Sequence, residues 1–255
     1  MSQYPTFDKL SISFDTGPVP PPFCHKYDIT IHKHQDSTYT ASLKLDYYDR
    51  DEITEEDIID EGFSLNDNFE WNGKLPEVWG QEVEKKLSST NWGKKDIQET
   101  GYSTLELKYF GGRNAEILYP ADKRSWETFA QEIIQAIFEL GEKEAPLEII
   151  FLLIDQAGQQ QQLRMMLQFS DRSVVLSSNT GSPKSLPWNE GQKLLQYIFF
   201  FDYLPEDSLQ ELPENSGSYI DPGDGFWYSF DNQEPGNEEM EDRWEKLVKT
   251  LKLYF

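Results

Sequence analysis

The chain has 255 residues and a mass of 29.8 kDa, enough for one large domain or two small ones. Its 46 acids against 23 bases give a net charge of −23 at pH 7, which argues strongly against a phosphate-backbone binder and disfavours an anionic membrane surface. Hydrophobic residues make up only 37%, but 14% of the chain is aromatic, and large rings let few residues fill a core.

The first element is a strand in which Leu10, Ile12 and Phe14 alternate with Ser11, Ser13 and Asp15. Gly17–Pro22 follows as a stiff connector, unsuited to a helix or an inner strand. Apolar residues then fall on odd positions in Phe23–Ile31 and again in Tyr39–Tyr47, with Gln35–Ser37 between them as a hairpin loop. Charges select the register. Paired residue numbers summing to 72 set Asp28 opposite Lys44 and Lys26 opposite Asp46; sums of 74 or 70 oppose like charges. The expected pairs are therefore Ile31 with Ala41 and Ile29 with Leu43.

Thr54–Glu61 reads as a helix with Thr54 at the N-cap and three acids in its first turn. Pro76 suits the first position of a helix whose Trp79, Val83 and Leu87 share a face. Polar residues from Gly93 to Gly101 mark a boundary between two sequential lobes, 1–95 and 101–255.

Strands restart at Leu105–Tyr109 and Ala115–Tyr119. A helix over about 124–140 carries Trp126, Phe129, Ile133, Ile137 and Leu140, with Gly141 expected at C′. Leu147–Ile154, apolar on both faces, reads as a central strand, and Leu163–Phe169 and Val174–Ser178 continue a meander. Asn189 is placed to cap a helix with Leu194, Leu195, Ile198 and Phe199 inward. Leu204–Phe230 has Pro and Gly spacings that deny a long helix, and reads as an ordered loop pinned by its aromatics. The last helix, about 238–251, carries Met240, Trp244, Leu247, Val248 and Leu251 as one stripe, with Trp244→Ala expected to cost roughly 3–5 kcal/mol. The fold class is thus α+β, with antiparallel sheet and helices packed on one face.

Few residues point to chemistry. Cys24 is the single cysteine, which excludes an intrachain disulfide, and it reads as a buried or half-buried structural thiol. His32 and His34 share a strand face but lack a third ligand, so no metal site and no cofactor is expected. No phosphate-loop, dinucleotide, zinc-protease or nucleophile-elbow motif occurs. Neither a leader peptide at Met1–Leu10 nor an 18-residue apolar run is visible, and the expectation is a soluble cytoplasmic protein.

The acids are concentrated. Residues 46–82 hold 13 acids with only Arg50 and Lys74, and residues 202–242 hold 13 acids with no Lys or Arg. The rest of the chain is close to neutral, with 20 acids and 21 bases. Two explanations compete: solvated faces that maintain solubility, or a negative face that meets a basic protein partner. The second is the expectation here, with both segments forming one face and Asp221, Asp224, Trp227 and Tyr228 as its binding residues, an aromatic anchor among acids. The function expected is a non-catalytic interaction or inhibitor-type module. The alternative is a hydrolase acting on a carbohydrate or other polar substrate through paired carboxylates, a class the composition permits without singling out a pair.

Overall fold

The computed structural model describes residues 7–94, 103–112, 114–179, 181–201, 203–229, 246–247 and 249–251. Two compact units divide the chain, Met1–Glu144 and Ala145–Phe255.

The first unit is built from β1 (Lys9–Asp15), β2 (His25–Lys33), β3 (Tyr39–Tyr47), α1 (Glu55–Asp60), β4 (Phe69–Leu75), α2 (Glu77–Ser89), β5 (Thr104–Phe110), β6 (Ala115–Leu118) and α3 (Lys123–Leu140). Its six strands form one antiparallel sheet in the order β4-β3-β2-β1-β5-β6. The β2–β3 register is the expected one, with Ile29 opposite Leu43, Ile31 opposite Ala41 and Asp28 opposite Lys44. A one-residue slip would turn every apolar side chain to water, so the buried row Leu107, Ile12, Ile29, Leu43 across four strands holds the alignment. The charges that picked the register take other partners. Asp28 accepts from Ser13 Oγ at 2.5 Å, while Lys44 lies between Asp46 and Glu70 at 3.6 and 3.4 Å.

The expected boundary after residue 95 falls inside this unit. Strand β5 pairs along its whole length with β1 and so belongs to the same sheet as β1–β4, and the division comes after Glu144. Local sequence reveals where pairing stops, not where it resumes.

The helices follow the expected signals with small shifts. Thr54 caps α1 through a capping box: its Oγ1 accepts from Asp57 N–H at 3.2 Å, and the Asp57 carboxylate accepts from Thr54 N–H at 3.1 Å. Pro76 sits at the N-cap of α2, one position earlier than expected, and Trp79, Val83 and Leu87 are fully buried. Lys33 on β2 and Glu84 on α2 form an ion pair at 2.5 Å. In α3, Gly141 is not the left-handed residue; that conformation falls on Glu142, with φ 56°. Glycine is needed at 141 for space, because a Cβ there would lie 2.9 Å from the Trp71 ring and 3.0 Å from Phe69.

Tyr27, beside the stacked ring of Phe14 at 5.0 Å, is 1% exposed, and its hydroxyl has no hydrogen-bond partner among the described residues. Burial pushes its phenol far above the ordinary value. A buried unsatisfied polar group costs about 1–3 kcal/mol. Tyr27→Phe is therefore expected to raise the melting temperature, by the equivalent of about 1 kcal/mol; a lower melting temperature would mean that the hydroxyl is satisfied after all.

The second unit contains β7 (Leu147–Ile154), β8 (Gln160–Gln168), β9 (Ser173–Ser178), β10 (Lys184–Leu186), α4 (Trp188–Ile198), β11 (Ser208–Leu209), β12 (Gly217–Asp221) and β13 (Trp227–Ser229). They form a seven-stranded antiparallel sheet in the order β10-β9-β8-β7-β12-β13-β11. Central β7 buries both faces, as its unbroken apolar run predicts. Ile149 and Phe151 join a large cluster with Leu163, Met165, Leu194 and Ile198, while Leu152 and Ile154 pack with Tyr219 and Trp227. Helix α4 begins one residue before Asn189, after Pro187, so Asn189 lies in its first turn; Phe199 is 52% exposed rather than inward. Leu247 and Leu251 are buried as the C-terminal stripe requires, whereas Met240, Trp244 and Val248 lie outside the described residues.

The stretch expected to be a long ordered loop is instead part of this sheet. Strand β12 pairs with β7 over five residues, and β13 and β11 extend the edge beyond it. Strands of two to five residues are too short to show a period between their Pro and Gly neighbours.

Candidate functional site

The four expected binding residues come together in the β12–β13 hairpin, but in structural employment. Asp221 closes the turn, its Oδ1 accepting from the N–H groups of Gly223 and Gly225 at 2.8 and 3.1 Å. Asp224 Oδ1 accepts from Phe226 N–H at 2.9 Å, and its Oδ2 accepts from the Tyr228 hydroxyl at 2.7 Å. Burial and this carboxylate push the Tyr228 phenol up to about 12. Trp227 is 8% exposed and Tyr228 3%, the latter 5.0 Å from the Tyr203 ring. The rings face the core because paired strands place them there; the aromatic that this hairpin leaves to solvent is Phe226, at 39%.

The other acidic segment shows a different construction. All eight acids between Asp49 and Glu61 are exposed. The base among them, Arg50, turns inward instead of neutralising them, and its side chain is 12% exposed. Its Nη1 donates to Asp67 Oδ2 at 2.7 Å and to the Ser64 carbonyl at 2.8 Å, and its Nε donates to the Pro22 carbonyl at 3.4 Å. The guanidinium packs on the rings of Tyr47 and Phe63, 4.2 and 4.9 Å from their centres, and the two rings meet edge-to-face at 5.7 Å. Burial alone would raise the Asp67 carboxyl, but the Ser64 hydroxyl and Arg50 overcome it and hold it below the ordinary value. Three chain segments are thus fastened to one side chain. The sequence carried one sign of this, a lone base in an acidic run, but not its inward direction.

The segments joined here carry exposed apolar side chains. Phe23 was expected inward by its odd position, but it precedes the first residue of β2 and is 45% exposed, packed edge-to-face on Phe63 at 5.5 Å. Ile59 and Leu65 are 57% and 53% exposed.

A third location is a shallow groove of about 450 Å³ on the polar face of the first sheet, lined by Asp28, Thr30, Ser42, Lys44, Glu70 and Asn72 beside Trp71. Asp28 and Glu70 flank Lys44 on successive strands, which places their backbones roughly 10 Å apart. Glu70 is 72% exposed and bonded to Lys44, so it lacks the apolar enclosure that suits a general acid.

Among the described residues, no three His, Cys, Asp or Glu side chains are grouped to hold a metal ion, and no helix is long and apolar enough to cross a membrane. Cys24 is buried, its thiol donating to the Val19 carbonyl at 2.6 Å, and burial raises its pKa. Comparison of the chain with protein-family models, with curated proteins and with solved structures gave no match.

Proposed function

We propose that this chain is a non-catalytic interaction module, of the inhibitor type, that offers acidic surface to a basic protein partner. One observation carries the reading: the acids and the exposed apolar side chains occupy the same segments. Of the ten large apolar residues exposed among the described residues, Ile59, Leu65, Leu204, Leu209, Leu212 and Phe226 lie within 46–82 or 202–242, which make up less than a third of the chain. A face kept acidic for solubility alone has no use for large apolar groups, whereas an interface uses them for affinity and the charges for steering. In the same reading the helices cover one face of each sheet, the two units are sequential lobes, and the protein works in the cytoplasm without nucleic acid or membrane.

The test is a titration with a lysine- and arginine-rich synthetic peptide over a series of salt concentrations. Association is expected to slow at least tenfold between low and high salt, because screening shortens the reach of surface charge to about 8 Å at physiological ionic strength. Salt-independent capture would count against an electrostatic interface.

The groove supports a second reading, a hydrolase of carbohydrate or another polar substrate using Asp28 and Glu70. Both side chains line the groove, but the Asp28 carboxylate is bonded to Ser13 on the far side, and the intervening Lys44 and the open walls favour the first reading. Turnover of an aryl glycoside that Glu70→Gln abolishes would reverse the order.

A further inference from the structure

We propose, resting on the interaction reading above, that the surface gathered around Arg50 is a docking site for a basic amphipathic segment of the partner, one that carries Lys or Arg together with Leu, Ile or Phe.

The three apolar residues of this surface are held by bonds at their chain neighbours. Arg50 binds the carbonyls of Pro22 and Ser64, which precede Phe23 and Leu65. The Phe63 N–H donates to the Ile58 carbonyl at 3.1 Å, next to Ile59, while the Phe63 ring meets Phe23. The connecting backbone is fixed as well. Gly62 takes a left-handed φ of 81° after α1, and the Asp67 carboxylate accepts from the Ser64 N–H and hydroxyl at 3.0 and 2.5 Å. A surface built in advance loses little conformational freedom when a partner arrives, which leaves more of the contact energy as affinity.

Charge decides the occupant. The eight exposed acids from Asp49 to Glu61 lie in the same stretch of chain as exposed Ile59, and Arg50 is already committed to Asp67. A second copy of the chain, at −23, would be repelled. Anionic lipid and nucleic acid fail for the same reason. A cationic segment without apolar residues would meet the acids but leave Phe23, Ile59 and Leu65 in water. The fitting partner supplies both.

Two synthetic peptides test this: an amphipathic Leu/Lys peptide, and one with the same lysines and serine in place of each leucine. The native chain is expected to bind the first more tightly. Ile59→Ser with Leu65→Ser should weaken the amphipathic peptide about tenfold, near 1.4 kcal/mol, and leave the serine peptide unchanged. Asp51→Asn with Glu52→Gln and Glu56→Gln should weaken both, with Asp57 kept because it caps α1. Ile59 and Leu65 are exposed, so an unchanged melting curve is the folding control, and Phe23→Ser provides an independent apolar truncation. Undiminished binding of the amphipathic peptide to both apolar variants would overturn the docking site while a salt-dependent titration kept the acidic-interface reading. No binding of either peptide to the native chain at low salt would overturn both.

Discussion

Arg50→Met is expected to lower stability by about 3 kcal/mol, at the low end of the range for removing one partner of a buried ion pair. The low end applies because Arg50 and Asp67 keep 12% and 20% of their side-chain surface in water. Methionine preserves some of the packing against Tyr47 and Phe63 but supplies no donor for Asp67, Ser64 or Pro22. Arg50→Lys should recover less than half of the loss, since an ammonium cannot reproduce the planar fork that reaches several acceptors while packed on two rings. Urea denaturation measures both. A loss under 1 kcal/mol for Arg50→Met would show that the cluster is peripheral to the fold. The pH dependence provides a further check with a defined sign. Asp67 is held below its ordinary value in the folded chain, so its stabilisation is present above about pH 4, near the unfolded value, and lost as pH falls through the lower folded value. Asp67→Asn should flatten part of that acid limb. It should not remove it, because Asp15 is lowered as well, by the Tyr48 hydroxyl and the Gly17 N–H at 2.7 Å each.

The largest effect is expected at Trp126. Its indole is fully buried, edge-to-face with Phe129 at 5.7 Å and 5.9 Å from Trp92. The Nε1–H donates to Thr90 Oγ1 at 3.0 Å, and Thr90 in turn donates to the Lys86 carbonyl at 2.6 Å. Lys86 Nζ lies 5.6 Å from the indole centre and donates to the Ser125 carbonyl at 2.9 Å and to the Ser125 hydroxyl. Trp126→Ala thus opens a cavity where α3 meets the end of α2, and should cost about 3–5 kcal/mol. Trp126→Phe keeps part of the volume and loses the hydrogen bond, so its cost should be intermediate. A denaturation midpoint that Trp126→Ala leaves in place would refute the packing described for α3.

Much of the first sheet was legible because two independent signals agreed there. Alternation assigned the faces of β2 and β3, and the placement of Asp28, Lys44, Lys26 and Asp46 chose among registers that alternation alone leaves equal. The charges indicated the right pairs although the ions themselves bond elsewhere: opposite signs on adjacent strands are tolerated in any arrangement that avoids like neighbours. Thr54, Pro76 and the buried stripes of α2 and α3 were legible for a similar reason, since caps and periodicity act over a single turn or two.

The candidate sites were legible only as composition. The surplus acids and the aromatic-acid mixture at Asp221–Tyr228 could be counted, but which side chains face water depends on strand pairing. Ser208 and Ile220 flank Tyr228 across the ladders; Trp227 and Tyr228 then point to opposite faces of the sheet and join different buried clusters, while Asp221 and Asp224 close the turn. The return of β5 to β1 across α2 and a long connection was equally hidden, because no local preference specifies a partner strand.

By itself the sequence determined the α+β class, the antiparallel register of β2 with β3, the Thr54 cap of α1 and the two places where acid accumulates, all of which rest on interactions between residues near in the chain or on simple charge balance. Tertiary structure alone decided the direction of Arg50, the exposure of Phe23, Ile59 and Leu65 around it, and the burial of Trp227 and Tyr228. Each of these depends on bonds or packing between segments far apart in sequence, where the identity of a residue says what it is able to do and only its neighbours in space say which of those things it does.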